Sequence, residues 1–361
     1  MRDYSKDYCG YATACVEALQ QWYNWETGLW KDTGWWNAAN ALNAIIDYAA
    51  KNRTDRYHAV IRNTFEKHRE GCFWSHHYDD QGWWALTWIN ANDLVHDTAY
   101  LKMAETIFHQ MLRGWDEKVC GGGIWWNEDK QYKNAITNEL FLTIAARLYL
   151  RTDKEEYFVW AQKEWEWFLR SGMINEHHLV NDGLRLSDCC NNGDTTWTYN
   201  QGVILGAVIE MGNMSNHRHP WGEGSLDMLR IAVEIADAAI TTLVDENGNL
   251  REPVAIALND RDAPQFKGIF IRNLAYFYLM YVSLTRVEAS YYERYKKFIM
   301  SNVDAIWEKN RTHENTFGLK WGGPIDTTDA ARQTSALDAF NAATPFGRPP
   351  ENVHEINLAL P

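Results

Sequence analysis

Two consecutive carboxylates, Asp79 and Asp80, stand in the string Tyr78-Asp79-Asp80-Gln81-Gly82-Trp83-Trp84, with bulky aromatics close on both sides. Carboxyl groups held this close do not ionise independently, so one keeps a proton while the other stays charged. Such a pair suits acetal cleavage, in which an acid protonates the departing oxygen and a carboxylate attacks the anomeric carbon. Retention wants the two groups about 5–5.5 Å apart and inversion needs more room for a water, so adjacency leans toward retention. The same residues also fit a helix N-cap, where an aspartate accepts free N–H groups near the positive end of the dipole.

Other chemistries find less support. Gly121-Gly122-Gly123 is followed by Ile124-Trp125-Trp126, not by the Lys-Ser/Thr of a phosphate loop, and reads as a close backbone approach in a tight turn. No Gly-x-Ser-x-Gly nucleophile elbow occurs. The pairs His76–His77, His177–His178 and His217/His219 lack the i, i+4 spacing of a helical metal site, so neither metal nor cofactor is expected. The six cysteines show no C-x-x-C pair and read as buried free thiols.

The elements that must position the aspartates are helical. Leu229, Val233, Ala236, Ile240 and Leu243 mark one amphipathic stripe; Leu101, Ala104, Phe108 and Met111 mark another. Twelve helices are expected near 6–24, 36–51, 54–69, 80–95, 97–114, 135–151, 154–171, 197–212, 223–243, 264–285, 288–309 and 329–343. Loops into even-numbered helices are long and rich in Gly and aromatics, whereas most into odd-numbered ones are short and polar, the link at 212–222 being longer. Six hairpins with this alternation predict an all-α (α/α)6 barrel, one domain over 1–361, with even helices inside and the long loops around one opening. Asn37, Asn40, Lys133, Asn134, Asn138, Glu139, Asp182, Tyr199, Asn200, Gln201, Lys267 and Arg272 fall at or near inner-helix starts, as caps, loop braces or hydroxyl binders. Of the 19 Trp, Trp25, Trp30, Trp35, Trp36, Trp74, Trp83, Trp84, Trp125, Trp126, Trp197 and Trp321 lie in or beside those loops. An indole-lined funnel is a natural platform for pyranose rings.

With 361 residues, a net charge of −13 and scattered Lys and Arg, the chain has no basic groove for nucleic acid. Its longest apolar stretches, such as Gly268–Met280, are too short and interrupted to span a bilayer. The residues 1–7 show no signal core, so the expectation is a cytoplasmic protein as written, or a secreted one if a leader was removed.

The sequence resembles glycoside hydrolase family 76, the endo-α-1,6-mannanases, over nearly its whole length. The matching strings are Thr27-Gly28-Leu29-Trp30, Trp35-Trp36-Asn37-Ala38-Ala39-Asn40, Tyr78 to Trp84, and Cys120-Gly121-Gly122-Gly123-Ile124-Trp125-Trp126. Tyr132 to Leu140, Asn181-Asp182-Gly183, Trp197-Thr198-Tyr199-Asn200-Gln201-Gly202 and Phe266-Lys267-Gly268-Ile269-Phe270 complete the series. The resemblance implies an (α/α)6 barrel and retaining cleavage of α-1,6-linked mannosides, with Asp79 as nucleophile, Asp80 as general acid/base and Asp182 binding sugar near the scissile bond. Expected sugar contacts are Asn37, Trp84, Trp126, Tyr132, Asn138, Asp182, Tyr199, Gln201, Lys267 and Trp321. The partner would be an α-mannose-containing oligosaccharide or polysaccharide. Ser75-His76-His77 departs from the small polar residues expected upstream of the pair. Alternatives are transglycosylation onto a mannan or glycolipid glycan, histidine-based sugar epimerisation or isomerisation through His76 or His77, and glycan binding without catalysis.

Overall fold

The computed structural model describes residues 6–218, 223–285 and 293–347. Through them run α1 (Tyr8–Leu19), α2 (Trp35–Asn52), α3 (His58–His68), α4 (Tyr78–Val95), α5 (Thr98–Leu112) and α6 (Ala135–Thr152). They continue with α7 (Glu155–Ser171), α8 (Thr198–Arg218), α9 (Glu223–Thr242), α10 (Phe266–Thr285), α11 (Glu293–Lys309) and α12 (Ala330–Ala343). The even-numbered helices close a ring, α2 against α4, then α6, α8, α10, α12 and back to α2. Helices α1, α5, α7, α9 and α11 pack outside that ring. The chain is an (α/α)6 barrel.

Burial follows the sequence pattern. Inner α12 buries every residue from Ala330 to Ala343, because it is covered on both sides. Outer α3 buries only Val60, Ile61, Thr64 and Phe65, a single stripe. Inner helices also meet closely: a Cβ on Gly202 would sit 2.6 Å from the Phe270 Cα, and one on Gly268 2.6 Å from the Ser335 Cα. Directly after α2, α4 and α6, the residues Arg53, His96 and Asp153 turn left-handed (φ 50°, 59° and 55°). Each ends its helix within one residue, so the return to the outer ring is short. The long connections are thereby gathered at the other end, where the inner helices begin.

Two small hairpins decorate those loops: β1 (Tyr23–Asn24) with β2 (Leu29–Trp30), and β3 (Leu184–Arg185) with β4 (Cys190–Asn191). Neither was expected, because two residues per strand are too few to show an alternation. The first hairpin also shortens the expected 6–24 helix, which stops at Leu19. Positions 288–292 of the expected eleventh helix, and 219–222 in the link before α9, lie outside the described residues.

One expectation is corrected. Cys120 and Cys189 form a disulfide across 69 positions of sequence; Cys9, Cys15, Cys72 and Cys190 are free, and of these only Cys15 is buried. Spacing along the chain hid the pair; the barrel brings their two loops together. Below the mouth, the interior is polar and charge-paired: Arg147 donates to Glu210 (2.7 Å) and Asn90 (2.6 Å), and Arg272 to Asn40 (2.7 Å) and Asp338 (3.3 Å). Among the described residues, no helix is long and apolar enough to cross a membrane.

Candidate active site

The inner helices start around the mouth, and the fourth residue of four of them is a buried amide that pins a loop. Gln81 donates to the Ser75 carbonyl. Asn138 accepts from the Ile124 N–H (2.6 Å) and donates to the Ile124 carbonyl (3.1 Å). Gln201 does the same with Val180 (2.7 and 2.8 Å), and Gln333 accepts from the Phe317 N–H (3.1 Å). In α2 the third residue serves instead: Asn37 donates to the Gln265 side chain (2.8 Å), whose amide donates back to the Asn37 carbonyl (3.0 Å). These amides satisfy backbone groups that long loops would otherwise leave bare. Asn37, Asn138 and Gln201 are fully buried behind the wall, where they set loop geometry.

Asp79 and Asp80 open α4, both half-buried at the mouth. Asp79 accepts from the Trp126 indole N–H (3.0 Å) through one oxygen and from the Asp80 backbone N–H (3.0 Å) through the other. Asp80 accepts from the Ser75 hydroxyl (2.8 Å). Burial, and then the Asp80 charge, push the Asp79 carboxyl well above the usual range, against the pull of its N–H donors. Burial raises Asp80 as well, opposed by Ser75 and His77 and reinforced by Asp262. The pair holds a proton more readily than free carboxylates do.

Two aromatic walls flank the pair. On one, Trp83 stacks on Trp36 (5.7 Å between rings), Trp36 on Phe266 (5.9 Å) and Phe266 on Tyr199 (3.9 Å). On the other, Trp126 lies between His77 (4.7 Å) and Tyr132 (6.3 Å). Asp182 sits further along, accepting from the Tyr132 hydroxyl (2.5 Å), with Trp197 as a second donor. Its neighbour must be glycine, since a Cβ on Gly183 would lie 2.5 Å from the Lys133 carbonyl oxygen. Tyr199 faces Asp182, Asp79, Glu139 and Tyr132 together; burial first and those groups second raise its hydroxyl pKa. The cleft thus joins Asp79, Asp80, Trp126, Tyr132, Asp182 and Tyr199.

Other sequence candidates lie elsewhere. Trp84 is in the core between Trp35, Phe73 and Trp88. Trp321 is buried beneath Lys267, whose ammonium stands 4.5 Å over the ring and donates to the Leu319 carbonyl (2.6 Å). Burial lowers Lys267 to about 8. Lys133 donates to the carbonyls of Asp116, Val119 and Gly122, tying the triple-glycine turn, and a Cβ on Gly123 would collide with Trp167. His76 is on the rim, 3.1 Å from Asp129. Residues that the sequence reading passed over are Asp262, bonded to Trp36, and Glu252, which accepts from the Thr198 hydroxyl and N–H at the head of α8. Both belong to the long loop before α10, and nothing in their local sequence sets them apart. Among the described residues no group of three His, Cys, Asp or Glu is placed to hold a metal.

The sequence profile of glycosyl hydrolase family 76 matches residues 8–350. The chain belongs to this family. A putative mannan endo-1,6-alpha-mannosidase of Schizosaccharomyces pombe is 30% identical over 202 residues, covering 50% of this chain and 46% of the relative. A mannan endo-1,6-alpha-mannosidase of Candida albicans is 27% identical, covering 55% and 48%. The chain therefore spans about half the length of these curated relatives. In structure, the family 76 barrel is shared with an inactive variant of an α-1,6-mannanase of Salegentibacter sp. HEL1_6, solved with α-1,6-mannotriose. The TM-score is 0.82 at 22% identity, over 94% of this chain and all of that one.

Proposed function

We propose that the protein is a retaining glycoside hydrolase that cleaves α-1,6-linked mannosides through a covalent glycosyl-enzyme intermediate. The observation that carries the reading is the asymmetry of hydrogen-bond partners around two adjacent carboxyls in an aromatic cleft. Burial and mutual repulsion leave the pair sharing one proton, and because both Asp79 oxygens face N–H groups, which donate only, that proton is better held by Asp80 and Asp79 is left as the carboxylate nucleophile. The Asp80 partner is a hydroxyl, which serves a carboxylate as donor and a carboxylic acid as acceptor. Asp80 is thus suited to gain and lose a proton while Asp79 keeps its charge.

In the first step Asp79 bonds to the anomeric carbon as the glycosidic bond breaks, and Asp80 gives its proton to the departing oxygen. Asp80 then takes a proton from water, which attacks the same carbon and releases Asp79. Trp126 and Tyr132 on one side and the partly exposed Trp36 and Tyr199 on the other offer aromatic surface for pyranose rings, and Asp182 is an acceptor for sugar hydroxyls one position along. The names of the fungal relatives and the mannotriose bound by the Salegentibacter protein support α-1,6-mannose as the substrate. The Cys120–Cys189 bridge favours an oxidising, extracytoplasmic compartment over the cytoplasm.

The test is incubation of wild type, Asp79→Asn and Asp80→Asn with linear α-1,6-mannan, with products followed by chromatography. Wild type should release mannooligosaccharides and both variants should be inactive with unchanged circular dichroism. Near-normal turnover by either variant would remove that residue from its role.

A further inference from the structure

Asp262 enters the cleft from the far side of the barrel. It lies on the loop before α10, and its carboxylate accepts from the Trp36 indole N–H at 2.8 Å, joining that loop to the start of α2. Directly beside this bond, Asn37 and Gln265 exchange two amide hydrogen bonds, making a second rung between the same two segments. The loop is held elsewhere too: Asp260 accepts from the N–H groups of Asp262 and Ala263 (both 2.9 Å), and Arg332 donates to the Leu258 carbonyl (3.0 Å). Asp262 is therefore exposed yet fixed.

We propose that Asp262 is a positioning residue for the mannosidase reaction: it clamps Trp36 into the aromatic wall and sets a second negative charge across the cleft from Asp80. The inference rests on the hydrolase reading given above. The clamp matters because Trp36 is the middle ring of the Trp83–Trp36–Phe266–Tyr199 stack and is half-exposed to the cleft. An indole anchored at Nε1 loses its swing, which fixes the exposed part of the ring in the cleft wall.

The charge acts on the acid. The titratable groups facing Asp80 are Asp79 on its own helix, His77 in the preceding loop and Asp262 opposite; Ser75 is its hydrogen-bond donor. Arg272, on α10 over the Trp83 ring, is taken up by Asp338 and Asn40. Burial is the main reason Asp80 holds its proton, and Asp262 adds to it while His77 subtracts. A like charge on an exposed arm is a modest, salt-screened supplement, one that extends the pH range in which the acid is protonated.

The experiment compares wild type, Asp262→Asn and Asp262→Ala on an α-1,6-mannooligosaccharide, recording kcat and KM against pH at low and high ionic strength. Asparagine keeps an oxygen for Trp36 but loses the charge. Its alkaline limb of kcat/KM should fall by about 0.3 pH unit or more at low salt, with KM changed less than twofold. Added salt should move the wild-type limb toward the Asn variant and leave that variant in place. Alanine should show the same limb shift and a KM several-fold higher. Superimposable limbs for wild type and Asp262→Asn at low salt would overturn the electrostatic role, and an unchanged KM in Asp262→Ala would overturn the clamp. Failure of wild type to hydrolyse the substrate would instead overturn the hydrolase reading, and this role with it.

Discussion

Replacing Cys120 and Cys189 by serine, in a Cys190→Ser background that prevents reshuffling, should cost stability without disabling the cleft. The bridge closes a loop spanning 69 positions of sequence. Loop-closure entropy puts its stabilisation at about 4 kcal/mol, gained by restricting the unfolded chain. For a chain of this size that corresponds to a fall in Tm of roughly 5 °C. The bridge is not what places Asp182, however. Tyr132 bonds the Asp182 carboxylate (2.5 Å), Ala135 N–H its carbonyl (2.7 Å), and Asn192 the Tyr132 hydroxyl (2.9 Å). Leu184 N–H also bonds the Lys133 carbonyl (3.0 Å). These contacts survive the loss of the bridge, so kcat/KM on α-1,6-mannan well below Tm should stay within about twofold. Urea unfolding and steady-state kinetics on the two proteins, with thiol titration to verify the bridge, make the comparison. Equal stability would refute the entropic argument. A loss of activity beyond tenfold in a folded variant would mean that the disulfide itself shapes the site.

Trp126→Phe removes an N–H donor from Asp79 while keeping an aromatic ring. The donor favours the charged form, so its loss should raise the Asp79 proton affinity, move the acidic limb of kcat/KM to higher pH and lower kcat by roughly tenfold. Ser75→Ala removes the hydroxyl from Asp80, and because that bond opposes protonation, the alkaline limb should move upward with a smaller drop in kcat. Glu252 is held at about 7 by burial, partly relieved by Thr198. A carboxyl raised on folding binds more protons in the native state, so stability falls as pH rises from the ordinary carboxyl value of 4.5 through about 7. Glu252→Gln should flatten that slope in urea titrations, and an unchanged slope would exclude Glu252 as its source.

The helical ladder was legible because inner and outer helices bury different numbers of faces, and the alternation of loop lengths revealed the ring. The candidate pair stood out because adjacent aspartates beside aromatics are chemically conspicuous. The polar residues at inner-helix starts were harder to interpret. Asn37, Asn138 and Gln201 could be read in sequence as loop braces or as hydroxyl binders; Asn138 and Gln201 are buried amides matched to loop backbone and Asn37 one matched to the Gln265 side chain, a choice settled only when the loop partner is present. Lys267 and Trp321 pair with each other rather than with the cleft, across more than fifty positions of sequence. Asp262 and Glu252 were passed over for the converse reason: acidic residues in a long loop carry no period or motif, and their partners Trp36 and Thr198 lie in other hairpins. The disulfide belongs to the same class of long-range pairing.

The division of labour between Asp79 and Asp80 is tested most directly by early-time NMR of the anomeric protons during hydrolysis of an α-1,6-mannooligosaccharide. Double displacement through Asp79 predicts that the α-anomer of the new reducing end appears first, with the β-anomer growing in later by mutarotation. First appearance of the β-anomer would mean single displacement by water, and would contradict the assignment of Asp79 as nucleophile.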